Sequence, residues 1–300
     1  MSDLSPSAWT RFWHQPIRAE RLALMRICLG LALLSDQLVQ YRPNLMDFFG
    51  HTGVAPTGLQ DAYQLKSWRW SILLFNSDNP TVLYPFFWAW VGITAAWTLG
   101  LFTRITGICL WFVTMCWLNR NPNLLNGGDD TLQVGLFLLM LAPCGKALSL
   151  DSLAGHGSAR VPPWSVRLLQ IQLAAIYSST GLVKLVGENN PGGWLPAGTW
   201  WDGTSIHYAL NYITMSRWSY AQLPVPFWIT ASMTYLSVWW EFLFPWLVLY
   251  RHTRPWTLWF GVLFHVGIFL TLEVGWFSLY TLCFYAVWLP DWFWDRHFPR

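Results

Sequence analysis

The feature that most constrains this fold is a series of apolar runs, each long enough or nearly long enough to cross a lipid bilayer. A transmembrane helix needs about 20 predominantly apolar residues. Eight runs meet or approach that length, at residues 22–39, 81–100, 105–118, 131–141, 166–186, 227–250, 256–272 and 276–289. The third and fourth are short, so we expect them to be tilted, extended by flanking turns or incompletely inserted. The sequence therefore predicts an all-α, polytopic membrane helical bundle with about eight transmembrane helices.

Composition agrees with a membrane environment. Charged residues make up 11% of the chain and tryptophan contributes 24 residues, whereas about a quarter of an ordinary soluble domain is charged. Tryptophan concentrates at the boundary between water and lipid, so the excess indicates many crossings. The net charge of +3 gives no sign of nucleic-acid binding, and the seven histidines show no metal-ligand spacing.

The chain divides into three parts. Residues 1–21 carry arginine and tryptophan and are too polar to cross, so they are predicted to form an interfacial helix along the membrane surface. Residues 22–292 form the transmembrane domain, and residues 293–300 form a short C-terminal tail. On the eight-span path, eleven lysines and arginines fall on the N-terminal side and five on the other. This bias predicts both termini in the cytoplasm. The expected location is the inner (plasma) membrane.

Residues 174–201 contain the strongest candidate for a functional site, a lysine inside an apolar helix followed by glycine, proline and tryptophan. An ammonium at membrane depth costs about 2.5–3.5 kcal/mol by insertion scales, which favours a functional role. Tyr177, Gly181 and Lys184 share one helix face, and Gly181 leaves room for a partner helix or a flat ligand. Two interpretations stay open. Lys184 either lines a pocket or extends its amine to the headgroups.

The segment at residues 118–130 reads LNRNPNLLNGGDD and places two carboxylates at the start of the next span. Asp129 and Asp130 can act as acid and base groups or help to bind a ligand. Aspartate is also a common residue at helix N-termini, and capping is the favoured role for at least one of them.

Two other polar groups have structural interpretations. Asp151 ends an SLD sequence that has the pattern of a cap and turn, and no chemistry is assigned to it. Arg26 lies one turn inside the first run, where its long side chain is expected to reach the interface.

Glu241 and His265 are polar residues of two late runs, and they can relay protons, bind a headgroup or satisfy each other. A rise of 1.5 Å per residue places His265 about 15 Å from the inner face and Glu241 about 21 Å from the outer face. Lys184 lies near the outer end of its run. Depth therefore predicts that His265 is its nearer neighbour and that Glu241 is structural, linked to Lys184 only through a long ligand or water chain.

A set of residues in a fixed order resembles the transmembrane part of vitamin K-dependent γ-glutamyl carboxylase, known as the HTTM domain. The residues of this set are Tyr177, Gly181, Lys184, Leu185, Trp194, Gly198, Phe264, His265 and the GWFS sequence at 275–278. The polar start, the NGGDD segment and the SLD sequence resemble bacterial HTTM domain-containing proteins. The resemblance extends from about residue 9 to residue 292.

The resemblance implies an activity and a cofactor. In the carboxylase a lysine deprotonates reduced vitamin K, whose reaction with oxygen gives a base that removes a glutamate γ-proton, and Lys184 stands at that lysine's place. A neutral amine is required, which burial favours. His265 takes a supporting catalytic role, and Tyr177, Gly181 and Trp194 are assigned to binding of reduced vitamin K or another hydroquinone. No metal is implied.

The chain also departs from the carboxylase. Asp129 or Asp130 stands where the carboxylase has a histidine. The large lumenal region that holds the carboxylase's protein substrate is not expected in this chain, so protein carboxylation by this chain alone is not expected either. One hypothesis is a membrane enzyme that uses a lysine base on a hydroquinone or quinone, in epoxidation- or carboxylation-like chemistry. The alternative is a non-enzymatic protein that binds lipid or a partner, in secreted-peptide processing or immunity.

Expected partners are membrane lipids and either a peptide or protein substrate or a separate partner domain. Several tryptophans near the predicted outer loops suit stacking on a flat ring, and they equally suit an interfacial belt. They are Trp68, Trp70, Trp194, Trp200 and Trp201.

Overall fold

The computed structural model describes residues 7–54, 56, 70–74, 78–186 and 198–297, and these residues are mostly helical. They belong to two compact units, Met1–Leu169 with Cys283–Arg300, and Gln170–Leu282. Two short antiparallel strands, β1 (Ile17–Arg18) and β2 (Arg160–Val161), pair in the first unit. The prediction of an all-α chain is confirmed.

The α-helices are numbered here along the described part of the chain. They are α1 (Ala8–His14), α2 (Glu20–Asp36), α3 (Leu45–Phe49), α4 (Pro80–Leu99), α5 (Thr103–Arg120), α6 (Gly127–Leu141), α7 (Trp164–Val186), α8 (Ser205–Asn211), α9 (Phe227–Leu249), α10 (Arg254–Thr271), α11 (Phe277–Cys283) and α12 (Asp291–His297). A π-helical turn, Gln37–Tyr41, continues α2, and a 3₁₀ turn, Phe284–Trp288, continues α11.

Each of the eight apolar runs coincides with a helix, with ends that differ by a few residues. The two short runs lie in longer helices, because α5 has 18 residues and α6 has 15. Within the described ranges, two helices are long and apolar enough to cross a membrane by length and composition, Glu20–Tyr41 and Pro80–Leu99. The α1 helix lies in the N-terminal segment that was predicted to be interfacial.

Close helix contacts and stacked indoles build the core of the first unit. A Cβ on Gly30 of α2 would lie 2.0 Å from Thr98 Oγ1 of α4, so these helices touch through the glycine. The rings of Trp90 and Trp117 are fully buried and stack with centroids 5.4 Å apart, joining α4 to α5. Trp90 Nε1 also donates to Thr114 Oγ1 at 2.9 Å, which satisfies its polar atom.

Arg26 of α2 finds its hydrogen-bond partners within the folded chain. Its side chain is fully buried and donates to the carbonyl oxygens of Cys144, at 2.6 Å, and Leu148. The loop after α6 supplies both carbonyl acceptors. A buried guanidinium needs such partners, since burial without them is costly.

The cap and turn predicted at Asp151 are confirmed, although the capped helix is distant in sequence. Its carboxylate accepts hydrogen bonds from Phe102 N at 2.8 Å and Thr103 N at 2.7 Å, at the start of α5. Residues 293–297 of the predicted C-terminal tail lie in α12. There Trp294 is fully buried and Asp291 accepts a hydrogen bond from Arg21 at 2.8 Å.

The second unit contains the part of α7 from Gln170 onward together with α8, α9 and α10. The α9 helix packs against α8 and α10. A Cβ on Gly181 of α7 would lie 2.4 Å from Phe242 N and 3.0 Å from the Glu241 carbonyl carbon, so α7 and α9 meet backbone to backbone. This contact positions the side chains of the candidate site.

Candidate functional site

The α7 helix presents Tyr177, Gly181 and Lys184 on one face, as the spacing predicts. Lys184 lies in the last turn of the helix, which ends at Val186. A cation at this end interacts favourably with the helix dipole. The sequence therefore places an amine where the backbone already favours positive charge.

Lys184 forms an ion pair with Glu241 of α9. Its Nζ donates to Oε2 at 2.5 Å, and the two side chains are 19% and 6% exposed. The prediction that His265 would be the nearer neighbour and that Glu241 could be linked only through a long ligand or water chain is wrong.

The depth count failed because α7 and α9 do not end at the same level. Gly181, five residues before the end of α7, lies opposite Glu241 and Phe242, in the second half of α9. The earlier turns of α9 pack against α8, where Ile206 N donates to Thr234 Oγ1 at 3.2 Å. The beginning of α9 therefore extends past the end of α7, which brings Glu241 level with Lys184.

Trp200 is the second partner of the Lys184 amine. The Nζ atom lies 4.5 Å from the centroid of the indole ring. Such a cation–π contact is worth about 0.5–2 kcal/mol, more when water is excluded. The amine is thus held between a carboxylate and an aromatic face.

A second polar pair lies on the same face of α7. Tyr177 Oη and His265 Nε2 are 2.6 Å apart, and both side chains are buried. Among the described residues, no group makes a hydrogen bond to His265 Nδ1, which is also buried. In either tautomer this nitrogen is a polar atom without a partner in that part of the chain, which is unusual for a buried group.

Aromatic rings surround this second pair. The Tyr177 ring lies 4.7 Å from that of Trp240 and 4.5 Å from that of Phe244, measured between centroids. The His265 ring lies 5.4 Å from those of Phe264 and Phe277. Such surroundings exclude water, so charges and dipoles interact more strongly here than at a surface.

Gly181 forms a close contact between two helices and does not leave an open space. The space that its missing side chain leaves is filled by the α9 backbone at Phe242 and Glu241. Of the two occupants that the sequence allowed there, partner helix and flat ligand, the structure shows the helix. The close approach also sets the distance from Lys184 to Glu241.

Comparison of the chain with protein-family models, with curated proteins and with solved structures gave no match. The resemblance to the HTTM family therefore stays a prediction that depends on the residues alone.

Asp129 and Asp130 belong to the first unit, at the start of α6. Asp129 is buried and accepts a hydrogen bond from Asn126 N at 2.8 Å, while Asn126 Oδ1 accepts from Gly128 N at 2.7 Å. This reciprocal arrangement is a capping box, which confirms the capping interpretation for Asp129. Asp130 is exposed in the first turn.

Trp194, which the resemblance assigned to binding, lies outside the described residues. Within the described ranges, His, Cys, Asp and Glu form no group of three that could hold a metal ion.

Two residues of the site, Glu241 and Trp200, were not among those assigned to it from the sequence. A usable signal for Glu241 was present, since an acid and an amine in separate apolar helices lower their cost by pairing. Trp200 was one of several tryptophans near the site, and nothing in the sequence singles it out.

Proposed function

We propose that the chain is a polytopic integral membrane protein with eight transmembrane helices, placed in the inner (plasma) membrane with both termini in the cytoplasm. Large apolar side chains on α9 and α10 support a membrane environment for these two helices, because each is at least half exposed in the folded chain. They are Trp228, Trp246, Leu249, Trp256, Trp259 and Leu263. Water penalises such a surface, whereas lipid tails accept it.

We further propose that the protein is an HTTM-like enzyme that removes a proton from a lipid-soluble hydroquinone. The observation that supports this most is the contact between Lys184 Nζ and Glu241 Oε2 at 2.5 Å. A buried amine and carboxylate at one point in an apolar bundle are costly and are found mainly where protons or charged groups are handled.

The two side chains form a proton acceptor as a unit. The pair has zero net charge whether its shared proton is on Nζ or on Oε2. A second proton gives an ammonium beside a carboxylic acid, and the resulting positive charge lies over the Trp200 ring, which favours a cation. The base is then the Lys184–Glu241 pair, and not a neutral Lys184 alone as the resemblance implies.

The residues fit a flat phenolic ring at the Lys184 end of the site. There the amine lies 4.5 Å from the centroid of the Trp200 ring, whereas at Gly181 the α9 backbone occupies the position beside the helix. A bound hydroquinone would supply an acidic phenolic proton and two electrons. Lys184 would bind the hydroquinone at a phenolic oxygen, and Trp200 would provide a surface on which the hydroquinone ring could stack.

Tyr177 and His265 support the site from within the bundle. His265 Nδ1, which makes no hydrogen bond among the described residues, provides one further polar atom for a ligand group or a water molecule. These residues are positioning residues in this proposal, because Nε2 is already bonded to the Tyr177 hydroxyl.

A second candidate function is lipid or partner binding without catalysis, in secreted-peptide processing or immunity. The contact at Gly181 favours it, because a small residue beside an interhelical polar pair is a common way to fasten membrane helices. In this case the Lys184–Glu241 pair holds α7 against α9 and transfers no proton.

Purification in a mild detergent, followed by absorbance and mass measurement of bound quinones, distinguishes the two functions. The enzyme proposal expects a co-purifying quinone, and only bulk phospholipid would favour the alternative. Lys184→Met and Glu241→Gln are expected to lower hydroquinone-dependent turnover by about 10²–10⁴-fold. A matched control is Arg217→Ala, from an exposed ion pair with Glu273 at 3.3 Å in the same unit, which should leave turnover unchanged.

A further inference from the structure

A cavity of about 360 Å³ lies in the first unit, between the start of α5 and the segment that follows α6. Three basic side chains line it, Arg104 from α5, and Lys146 and His156 from the segment after α6. Both walls are on the cytoplasmic side in the proposed topology, because an even number of spans precedes each of them. The cavity is remote in sequence from the Lys184 site and has its own chemistry.

The basic groups are oriented by the protein and keep unused donors. Arg104 Nη1 donates to Leu141 O at 2.9 Å, and Lys146 Nζ donates to His156 O at 3.0 Å. In the described part of the chain, Arg104 Nε and Nη2 make no hydrogen bond, and the ammonium has two further N–H groups. A ligand with several acceptor oxygens can use these donors together.

The acidic residue of the cavity wall, Asp151, already accepts hydrogen bonds from the protein. Asp151 directs its carboxylate to the start of α5, where it accepts from Phe102 N and Thr103 N. The cavity wall therefore carries two cations, Arg104 and Lys146, and one carboxylate, so it keeps a positive charge even when His156 is neutral. The helix N-terminus itself is capped and is not part of the proposed site.

The apolar residues at the cavity match the tails of a lipid. Phe102 and Ile105 line the cavity and are both 64% exposed, and Pro143 adds apolar surface to the opposite wall. Basic pockets between membrane helices on the cytoplasmic side are suited to anionic headgroups. We propose that this cavity binds the phosphate of an anionic phospholipid, with Arg104 and Lys146 on the phosphate and the acyl chains over Phe102 and Ile105.

The test measures the melting temperature of the purified full-length chain in detergent, titrated separately with short-chain phosphatidylglycerol, short-chain phosphatidylcholine and inorganic phosphate. Phosphatidylglycerol is expected to raise the melting temperature at the lowest concentration. A cation near the membrane surface contributes about fivefold in affinity, so Arg104→Gln with Lys146→Gln should weaken phosphatidylglycerol binding by about 30-fold. Arg217→Gln, which removes a cation from the second unit, should leave it unchanged.

Three results would overturn the proposal. They are equal stabilisation by phosphatidylcholine, an unchanged affinity in the double variant, and an equal effect of inorganic phosphate, which would indicate a free-phosphate site. If the double variant does not fold, Lys146→Gln alone decides, because its amide keeps a donor near His156 O. That variant should then bind phosphatidylglycerol about fivefold more weakly.

Discussion

Removal of one partner of the Lys184–Glu241 pair should cost more stability than removal of both. In Lys184→Met the Glu241 carboxylate stays buried, with its side chain 6% exposed, and loses the ammonium at 2.5 Å. Loss of one partner from a buried pair costs about 3–5 kcal/mol. The Lys184 side chain is 19% exposed, and water screens part of the interaction, so we expect about 2–3 kcal/mol.

The double variant Lys184→Met/Glu241→Leu should recover most of that loss. It replaces two charges with apolar groups of similar size, a change that is commonly neutral or stabilising for buried pairs. We expect the free energy of unfolding to lie within about 1 kcal/mol of the unaltered chain. The coupling energy of the four-protein cycle is then about 2 kcal/mol or more.

Unfolding by sodium dodecyl sulfate in mixed micelles, followed by tryptophan fluorescence, measures all four free energies. The Arg217–Glu273 pair provides a control cycle, because its side chains are 33% and 53% exposed and exposed pairs contribute about 0–1 kcal/mol. A coupling energy for Lys184 and Glu241 no larger than that of the control would refute the reasoning that the pair is desolvated.

Two other predictions follow from single contacts and a third from the proposed topology. Gly181→Ala should destabilise the chain by about 1–3 kcal/mol through overpacking, while Gly267→Ala, where a Cβ meets no atom within 4 Å, should change unfolding little. Burial raises the pKa of Asp151, but hydrogen bonds from the start of α5 outweigh it and leave the pKa below its usual 3.8. The stabilisation by the ionised Asp151 should therefore be complete above pH 3.8 and disappear as the pH falls through the depressed pKa. Thermal melts at different pH values measure it, and the Asp151→Asn variant should lack this pH dependence. Reporter fusions after Ala159 and Ser219 should report cytoplasmic and external positions respectively, and the same side for both would exclude the eight-span path.

The helices could be predicted from the sequence because long apolar runs are a strong signal. The two short runs show where that signal ends. The α5 helix starts at Thr103 and continues to Arg120. It is longer than the apolar run because polar residues at its ends also form helical backbone hydrogen bonds, and a search for apolar residues does not count them. The cap of α5 by Asp151 was beyond prediction for another reason. The pattern at Asp151 indicates a cap, but only the folded chain shows which helix it meets.

The residues of the candidate site that lie on α7 could be predicted from the sequence, but their partners on other helices could not. Helical periodicity placed Tyr177, Gly181 and Lys184 on one face. The pairing of Lys184 with Glu241 depended on how far α9 extends beyond α7, which is set by the contact at Gly181 and by the packing of α8. A count of residues from an assumed membrane surface contains neither quantity.

The three contacts of α7 also determine how this helix can move. Tyr177 is bonded to α10, Gly181 fits against the α9 backbone and Lys184 is paired with α9. They span about 10 Å of helix axis, at 1.5 Å per residue. A translation of α7 along its axis or a rotation about it would break all three contacts together, so these contacts hold the helix in place against α9 and α10. A ligand of the proposed kind that reached Lys184 by displacing α7 would have to break all three contacts.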